Sequence, residues 1–285
     1  MVKKIAFCFL LYDTVLHREI WEKFFQQDCG KQKTHSIYSH IKTVTKDTPQ
    51  WLKKSRVRSI KTGWCEENLV SAWIKMIREA LKDPDNTYFV ILSGECIPLF
   101  DYKKLYKKVT ASKKSRINID YAVKSYALTG LYYADQWVLL NRKCAKLLVD
   151  MKDTKRGKEW LKATRKRLCY WDDDDDDEFC SCPEEILPIN WFVHNFGKPT
   201  TKGFKSQIRE IPTTYTYWDP MARKPHPEKF TLEKAKKFEK DICSSGALFA
   251  RKFEPSAGTF VAMNCNKKTS AYKKMLKKMR KHIFF

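Results

Sequence analysis

Residues 66–99 read EENLVSAWIKMIREALKDPDNTYFVILSGECIPL and carry the pattern that decides the fold. Apolar side chains recur every three or four residues in the first half, which predicts a helix with one buried face over 66–81. The turn-forming cluster at 83–86 ends this helix, and the apolar run at 88–92 predicts a buried strand. A helix followed at once by a buried strand is typical of an α/β protein.

The segments on either side continue this alternation. Strands are predicted at 4–11, 36–41, 136–140, 213–218 and 247–253, and helices at 17–25, 142–151, 152–167 and 231–242, with a further helix that begins at Pro183. The alternation in the first hundred residues predicts a largely parallel sheet with helices on both faces. No stretch has the Gly, Ser or Pro bias of a flexible linker, which favours one large domain. Because such sheets bind ligands at the carboxyl ends of their strands, Ser93 to Cys96 are expected to contact substrate, Glu95 among them.

The charge predicts an affinity for anions. The 56 Lys and Arg residues against 33 Asp and Glu give a formal net charge of +23. Nucleic acid, acidic membranes and the phosphates of a nucleotide-sugar would all be attracted, so the charge alone does not choose among them. Aromatic residues make up 14% of the chain, and Trp137 and Trp218 are candidates for stacking on a sugar ring, with core packing as the alternative.

Two features suggest metal binding at first sight. The ten cysteines lack a metal-binding spacing, and the close pair Cys180 and Cys182 has one residue between rather than two, so no zinc site is predicted. Disulfides remain possible in an oxidising compartment. The aspartate run 172–177 is interpreted as an exposed loop rather than a cation site, because adjacent like charges repel.

The first residues, MVKKIAFCFLLYDTVL, place two lysines before an apolar run. A short signal peptide would show this pattern, but the run is short, lacks a small-residue cleavage site and is interpreted as the first buried strand. No stretch has the length of a transmembrane helix. The protein is therefore expected to be cytoplasmic or otherwise soluble.

Acids open the helix predicted to begin at Pro183, ahead of the apolar segment 186–196. Pro183 suits a first helical turn, and Glu184 and Glu185 are favourable at its positive end. Helix-dipole stabilisation alone would account for these acids without catalysis. Pro188 within the segment predicts a short or kinked helix.

Taken in order, several segments resemble the core-2/I-branching N-acetylglucosaminyltransferases and their plant relatives. They are KIAFCFL at 4–10, the Trp64 to Leu81 segment, YFVILSGECIPL at 88–99, DQWVLLNR at 135–142, CPEEILP at 182–188 and ALFARKFEP at 247–255. The resemblance spans about residues 3–256. It implies a single-domain, Rossmann-like nucleotide-sugar transferase fold of the GT-A type over 1–260, which would leave 261–285 as a basic helical tail.

The resemblance also implies sugar transfer with inversion of configuration at the anomeric carbon. Glu185 would be the general base that takes the proton of the acceptor hydroxyl, and Glu184 would orient the loop or contact the acceptor. The strand end Ser-Gly-Glu-Cys lacks an Asp-x-Asp pair, as in the family, so no metal or other cofactor is expected. Fixed cations would then stabilise the departing UDP.

Lys252 matches the family's phosphate-contacting lysine. Arg251 beside it is a second candidate, although alternation along a strand would point the two side chains to opposite faces. A further cation is expected upstream. The candidates are Arg223, Lys224 and Arg209, of which Arg223 is preferred.

The resemblance implies a UDP-sugar donor and a glycan or glycoprotein acceptor. UDP-N-acetylglucosamine is our choice over UDP-xylose and UDP-glucuronic acid. Candidate acceptor-binding residues are Glu184, Trp137, Glu95 and Trp218.

Two other functions stay open. The basic helices at 152–167 and 273–280 would suit a nucleic-acid-binding protein, although no recognised motif for one occurs and nucleic acid is not the expected partner. A transferase homologue that binds carbohydrate without catalysis is the second alternative, and the presence of Glu185 and Lys252 argues against it.

Overall fold

The structure is a computed structural model that describes most of the chain. The described residues are 2–28, 30, 32–121, 129–172, 177–180, 182–218 and 227–266. Arg223 and Lys224 lie outside them, as do residues 173–176 of the aspartate run and residues 267–285 of the predicted tail.

The chain divides into two compact units. The first comprises residues 1–15, 30–94 and 109–213, and the second comprises residues 16–29, 95–108 and 214–285. The boundary expected at residue 260 does not coincide with this division, and the assignment of a separate tail stays a prediction.

A six-stranded mixed sheet forms the centre of the first unit. In the order in which they lie across the sheet, its strands are Ile208–Arg209 (β11), Ser115–Arg116 (β5), Leu139–Asn141 (β8), Asn86–Ser93 (β3), Lys4–Leu11 (β1) and His35–Ile41 (β2). Strand β1 pairs in parallel with both β2 and β3, as the alternation predicts. Strand β8 runs antiparallel to β3, so the sheet as a whole is mixed rather than largely parallel.

Helices and short strand pairs complete this unit. The helices are Gln50–Lys54 (α2), Glu67–Leu81 (α3), Arg142–Asp153 (α5), Lys155–Arg165 (α6), Pro183–Phe196 (α7) and Lys202–Gln207 (α8). Two antiparallel pairs join Ile119–Asp120 (β6) to Tyr133–Ala134 (β7) and Cys169–Asp172 (β9) to Asp177–Cys180 (β10). The helix predicted at 66–81 is confirmed within one residue.

The periodic face of α3 fills the core of this unit. Trp73 and Ile77 are fully buried, as is Phe89 of β3, and all three belong to one apolar cluster. The interior therefore follows the three- and four-residue spacing of the sequence. At the end of β3, a side chain on Gly94 would come within 2.5 Å of the Thr14 carbonyl oxygen, so this close approach requires glycine.

A three-stranded sheet organises the second unit. Its strands are Thr214–Thr216 (β12), Phe249–Arg251 (β13) and Ile97–Pro98 (β4), with β13 in the middle. Its helices are Arg18–Gln26 (α1), residues 102–108 of Tyr102–Thr110 (α4), Leu232–Lys237 (α9), Glu239–Ser244 (α10) and residues 255–266 (α11).

The single helix predicted at 231–242 is two helices. Phe238 lies between α9 and α10 with φ −95° and ψ 7°, which is outside helical geometry. Its ring packs 4.9 Å from that of Tyr217 and 5.9 Å from that of Phe230, measured between centroids. Tertiary packing of one aromatic side chain thus interrupts a continuous helical pattern.

Disulfide bonds occur in both units. Cys65 is bonded to Cys182 in the first unit, and Cys243 to Cys265 in the second.

In the described part of the chain, no helix has the length and apolar character needed to cross a lipid bilayer.

Candidate functional site

The first candidate region is the start of α7. Cys182 is the residue that precedes the helix, and its disulfide partner Cys65 lies two residues before α3 begins. Pro183 occupies the first turn and the helix continues for 14 residues to Phe196, so the expectation of a short helix was wrong. Pro188 removes one backbone donor, and the remaining bonds and the burial of this helix sustain it.

Glu185 lies in the first turn of α7 and is held by a tyrosine. The phenolic oxygen of Tyr133, in β7, donates a hydrogen bond to Oε2 of Glu185. The two residues are 52 positions apart in the chain. A donor at this oxygen favours the ionised carboxylate, which is the form that a general base requires.

Two further acids line the same small cavity as Glu185. Burial raises the pKa of Glu184 to about 7. Burial, followed by a smaller contribution from nearby Asp120, raises the pKa of Asp135 to about 6, against the lowering effect of a hydrogen bond with Asn118. Glu184 is 6% exposed, and its Oε2 has no hydrogen-bond partner among the described residues. We call Tyr133, Asp135, Glu184 and Glu185 the acid cluster.

Glu184→Gln is expected to flatten the dependence of stability on pH. The folded-state pKa of about 7 exceeds the ordinary value of 4.5. The contribution of this carboxyl to the free energy of unfolding is therefore fully present below pH 4.5 and is lost as the pH rises through 7. Glutamine does not titrate, so the fall in the free energy of unfolding between pH 5 and pH 8 should shrink by about 2 kcal/mol. Urea titrations at the two pH values measure this difference.

Glu159→Gln is the matched control, because Glu159 is exposed on α6. An equal pH dependence in native protein and Glu184→Gln would show that Glu184 is solvated and titrates normally.

Tyr133 and Asp135 were not among the site residues predicted from the sequence. Asp135 opens the DQWVLLNR segment, and Tyr133 lies two residues before it. The segment was therefore a signal for this region, but it did not identify which side chains reach Glu185.

The second candidate region is the end of β13. Nη2 of Arg251 lies 3.1 Å from Oε2 of Glu95, and Nζ of Lys252 lies 3.6 Å from the same oxygen. The two cations thus share one carboxylate, although alternation predicted opposite faces. Lys252 lies beyond the last residue of the strand, where alternation no longer applies. We call Glu95, Arg251 and Lys252 the cation cluster.

Backbone contacts fix the position of this cluster. The Phe230 amide donates to the Lys252 carbonyl at 2.8 Å. His17 is buried and bonds the backbone of Phe253, and burial lowers its pKa to about 4 despite this bond and the nearby carboxylate of Glu95. The cluster therefore combines two fixed positive charges with one acid beside a neutral imidazole.

The candidate tryptophans differ in exposure, which decides whether a ring could meet a sugar. Trp137 is 7% exposed and belongs to the core, which disfavours its predicted role in acceptor binding. Trp218 is 48% exposed, so its predicted role is compatible with its position. Trp64, which was not a predicted site residue, is 80% exposed and precedes Cys65. Arg209, the alternative to Arg223, lies on β11 in the first unit.

No group of three or more His, Cys, Asp or Glu side chains that could hold a metal ion occurs within the described ranges. The role of the aspartate run stays untested, because residues 173–176 lie outside these ranges.

The chain matches a protein-family model over most of its length. The model of the "Core-2/I-Branching enzyme" family matches residues 5–242. The chain belongs to this family. The matched region contains the whole acid cluster and Glu95, whereas Arg251 and Lys252 lie just beyond its end.

A curated relative of this Core-2/I-Branching protein is "Glycosyltransferase BC10" of Oryza sativa subsp. japonica. It is 24% identical in an alignment that covers 90% of this chain and 75% of the relative. Among solved structures, "Crystal Structure of A197 from STIV" matches 62% of this chain and 94% of its own with 11% identity and a TM-score of 0.29. That structural likeness is too low to support an argument about the fold. The family places the chain among glycosyltransferases.

Proposed function

We propose that this Core-2/I-Branching protein is an inverting, metal-independent glycosyltransferase of the GT-A type. It moves a sugar from a UDP-sugar to a hydroxyl of a glycan or glycoprotein. The sugar that we propose is N-acetylglucosamine. The observation that carries the proposal is the carboxylate of Glu185, which the Tyr133 hydroxyl holds at the start of a buried helix. The name of the rice relative supports the same reaction class.

The proposed reaction begins at the acceptor hydroxyl. Glu185 takes its proton as the acceptor oxygen forms a bond to the anomeric carbon of the donor sugar. The bond from that carbon to the phosphate oxygen breaks on the opposite face, and its electron pair leaves with UDP. Glu184, which is buried in the first turn of α7, would orient that turn rather than contact the acceptor.

The leaving group gains negative charge as this bond breaks. Lys252 and Arg251 supply positive charge in advance, and Glu95 holds their side chains together before the donor binds. The cluster carries a net charge of +1, so a diphosphate is attracted to it. Cations fixed by the protein would thereby take the role that a divalent metal has in other transferases.

Binding of a panel of UDP-sugars in the presence of EDTA tests this proposal. We expect one UDP-sugar to bind without metal, and Lys252→Ala to weaken its binding by about 10- to 100-fold, the range for losing a hydrogen bond to a charged group. Calorimetric titration measures both. Lys240→Ala, which removes an exposed lysine from α10 in the same unit, is the control and should bind as the native protein does.

Two results would contradict the proposal. One is turnover that requires manganese. The other is failure of every UDP-sugar to bind, combined with binding of nucleic acid that weakens steeply with salt, which would favour the polyanion-binding function that the charge of +23 suggests.

A further inference from the structure

A buried asparagine joins α7 to the chain segment that carries Tyr133. Nδ2 of Asn190 donates to the carbonyl oxygens of Tyr132 and Ile186, at 2.8 Å each. Oδ1 of Asn190 accepts from the Tyr132 amide at 3.0 Å. Asn190 is 6% exposed, so these bonds are shielded from competing water.

The backbone at Tyr132 and Tyr133 is held from two sides. The amide of Asn190 pairs with the backbone of Tyr132 on both its N–H and C=O groups, as a neighbouring strand would. On its other side the segment pairs with β6, where Tyr133 lies opposite Asp120. The backbone of Tyr133 is therefore held at the helix whose first turn carries Glu185.

We propose that Tyr133 is a positioning residue that aims the carboxylate of Glu185, and that Asn190 sets its place. This inference rests on the proposed function, in which Glu185 is the base. The Tyr133 hydroxyl binds Oε2 of Glu185 and so fixes the orientation of the carboxylate that receives the acceptor's proton. Helix α7 thus carries both Glu185 and, about one and a half turns later, Asn190, whose side chain holds the segment of Tyr133.

The bond has an electrostatic consequence as well. A hydrogen bond donated to a carboxylate favours its ionised form and opposes the effect of neighbouring acids. The titratable groups that share the cavity with Glu185 are Glu184 and Asp135, while α3 and α5 contribute the apolar side chains of Trp73 and Leu148. Loss of the Tyr133 hydroxyl should therefore shift the titration of Glu185 towards higher pH.

Tyr133→Phe tests this inference, because it keeps the ring and deletes only the hydroxyl. We expect kcat for glycan transfer to fall about tenfold with KM for the donor unchanged, and the acidic limb of the kcat/KM profile to move to higher pH. A purely structural role would not move that limb. Asn190→Asp, which keeps the acceptor oxygen and loses the donor to Tyr132, should shift the profile in the same direction.

Tyr121→Phe is the matched control, since Tyr121 also donates to a glutamate, Glu210, in the same unit. It should leave rate and profile unchanged. If Tyr133→Phe matches the native enzyme while Glu185→Gln abolishes transfer, the positioning role is wrong and the proposed function stands. If Glu185→Gln retains full turnover, the assignment of the base itself fails.

Discussion

Glu185→Gln is expected to lower the turnover of glycan transfer by about 10²- to 10⁴-fold, the contribution of a positioned general base. Glutamine has nearly the same shape and still accepts a hydrogen bond from Tyr133, so the fold and the donor affinity should be preserved. The amide cannot take a proton at neutral pH, and this loss is confined to the chemical step. Steady-state kinetics with the UDP-sugar that binds best, together with calorimetry of donor binding, separate the two quantities.

Glu159→Gln provides the control for this experiment. It makes the same chemical change at an exposed position of α6 and should leave turnover unchanged. Turnover of Glu185→Gln within tenfold of the native value would place the base elsewhere, with Asp135 as the next acid of the acid cluster to examine.

Replacing both Cys65 and Cys182 by serine is expected to lower the free energy of unfolding by about 5 kcal/mol on loop entropy. The bond closes a loop with a sequence separation of 117, and constraint of the unfolded chain grows with loop length. It also holds the residue before α7, so the start of the helix that carries Glu185 loses its anchor. Urea unfolding monitored by circular dichroism measures the change.

The pair Cys243 and Cys265 is the comparison within the same chain. Its sequence separation is 22, so its removal should cost about 1.5 kcal/mol less on loop entropy alone. Equal stability of native protein and the Cys65/Cys182 serine variant, or free thiols at these positions by mass spectrometry, would contradict the prediction. Disulfides persist in oxidising surroundings, so a bonded pair would also count against the expected cytoplasmic location.

Local patterns predicted most of the elements. The periodicity of 66–81 and the apolar run at 88–92 predicted α3 and β3, and the structure confirms both with changes of one or two residues at their ends. Pro183 and the acids behind it predicted where α7 begins. These signals act within one or two turns of the chain, so the sequence alone is sufficient to read them.

Predictions failed where a distant contact overrode a local pattern. Phe238 divides a segment that reads as one helix, because its ring packs against Tyr217 and Phe230. The helix beyond Pro188 continues because its side chains are buried on several sides. In both cases tertiary packing outweighed the intrinsic preference of the backbone.

The family and the candidate base and cation, Glu185 and Lys252, came from the sequence, because short segments kept their order along the chain. Only the tertiary structure decided that Tyr133 reaches Glu185, that Arg251 and Lys252 share Glu95, and which cysteines pair. These partners are separated by tens of residues or more. Periodicity and capping report on neighbours within a few positions, whereas the meeting of distant side chains depends on the path of the whole chain.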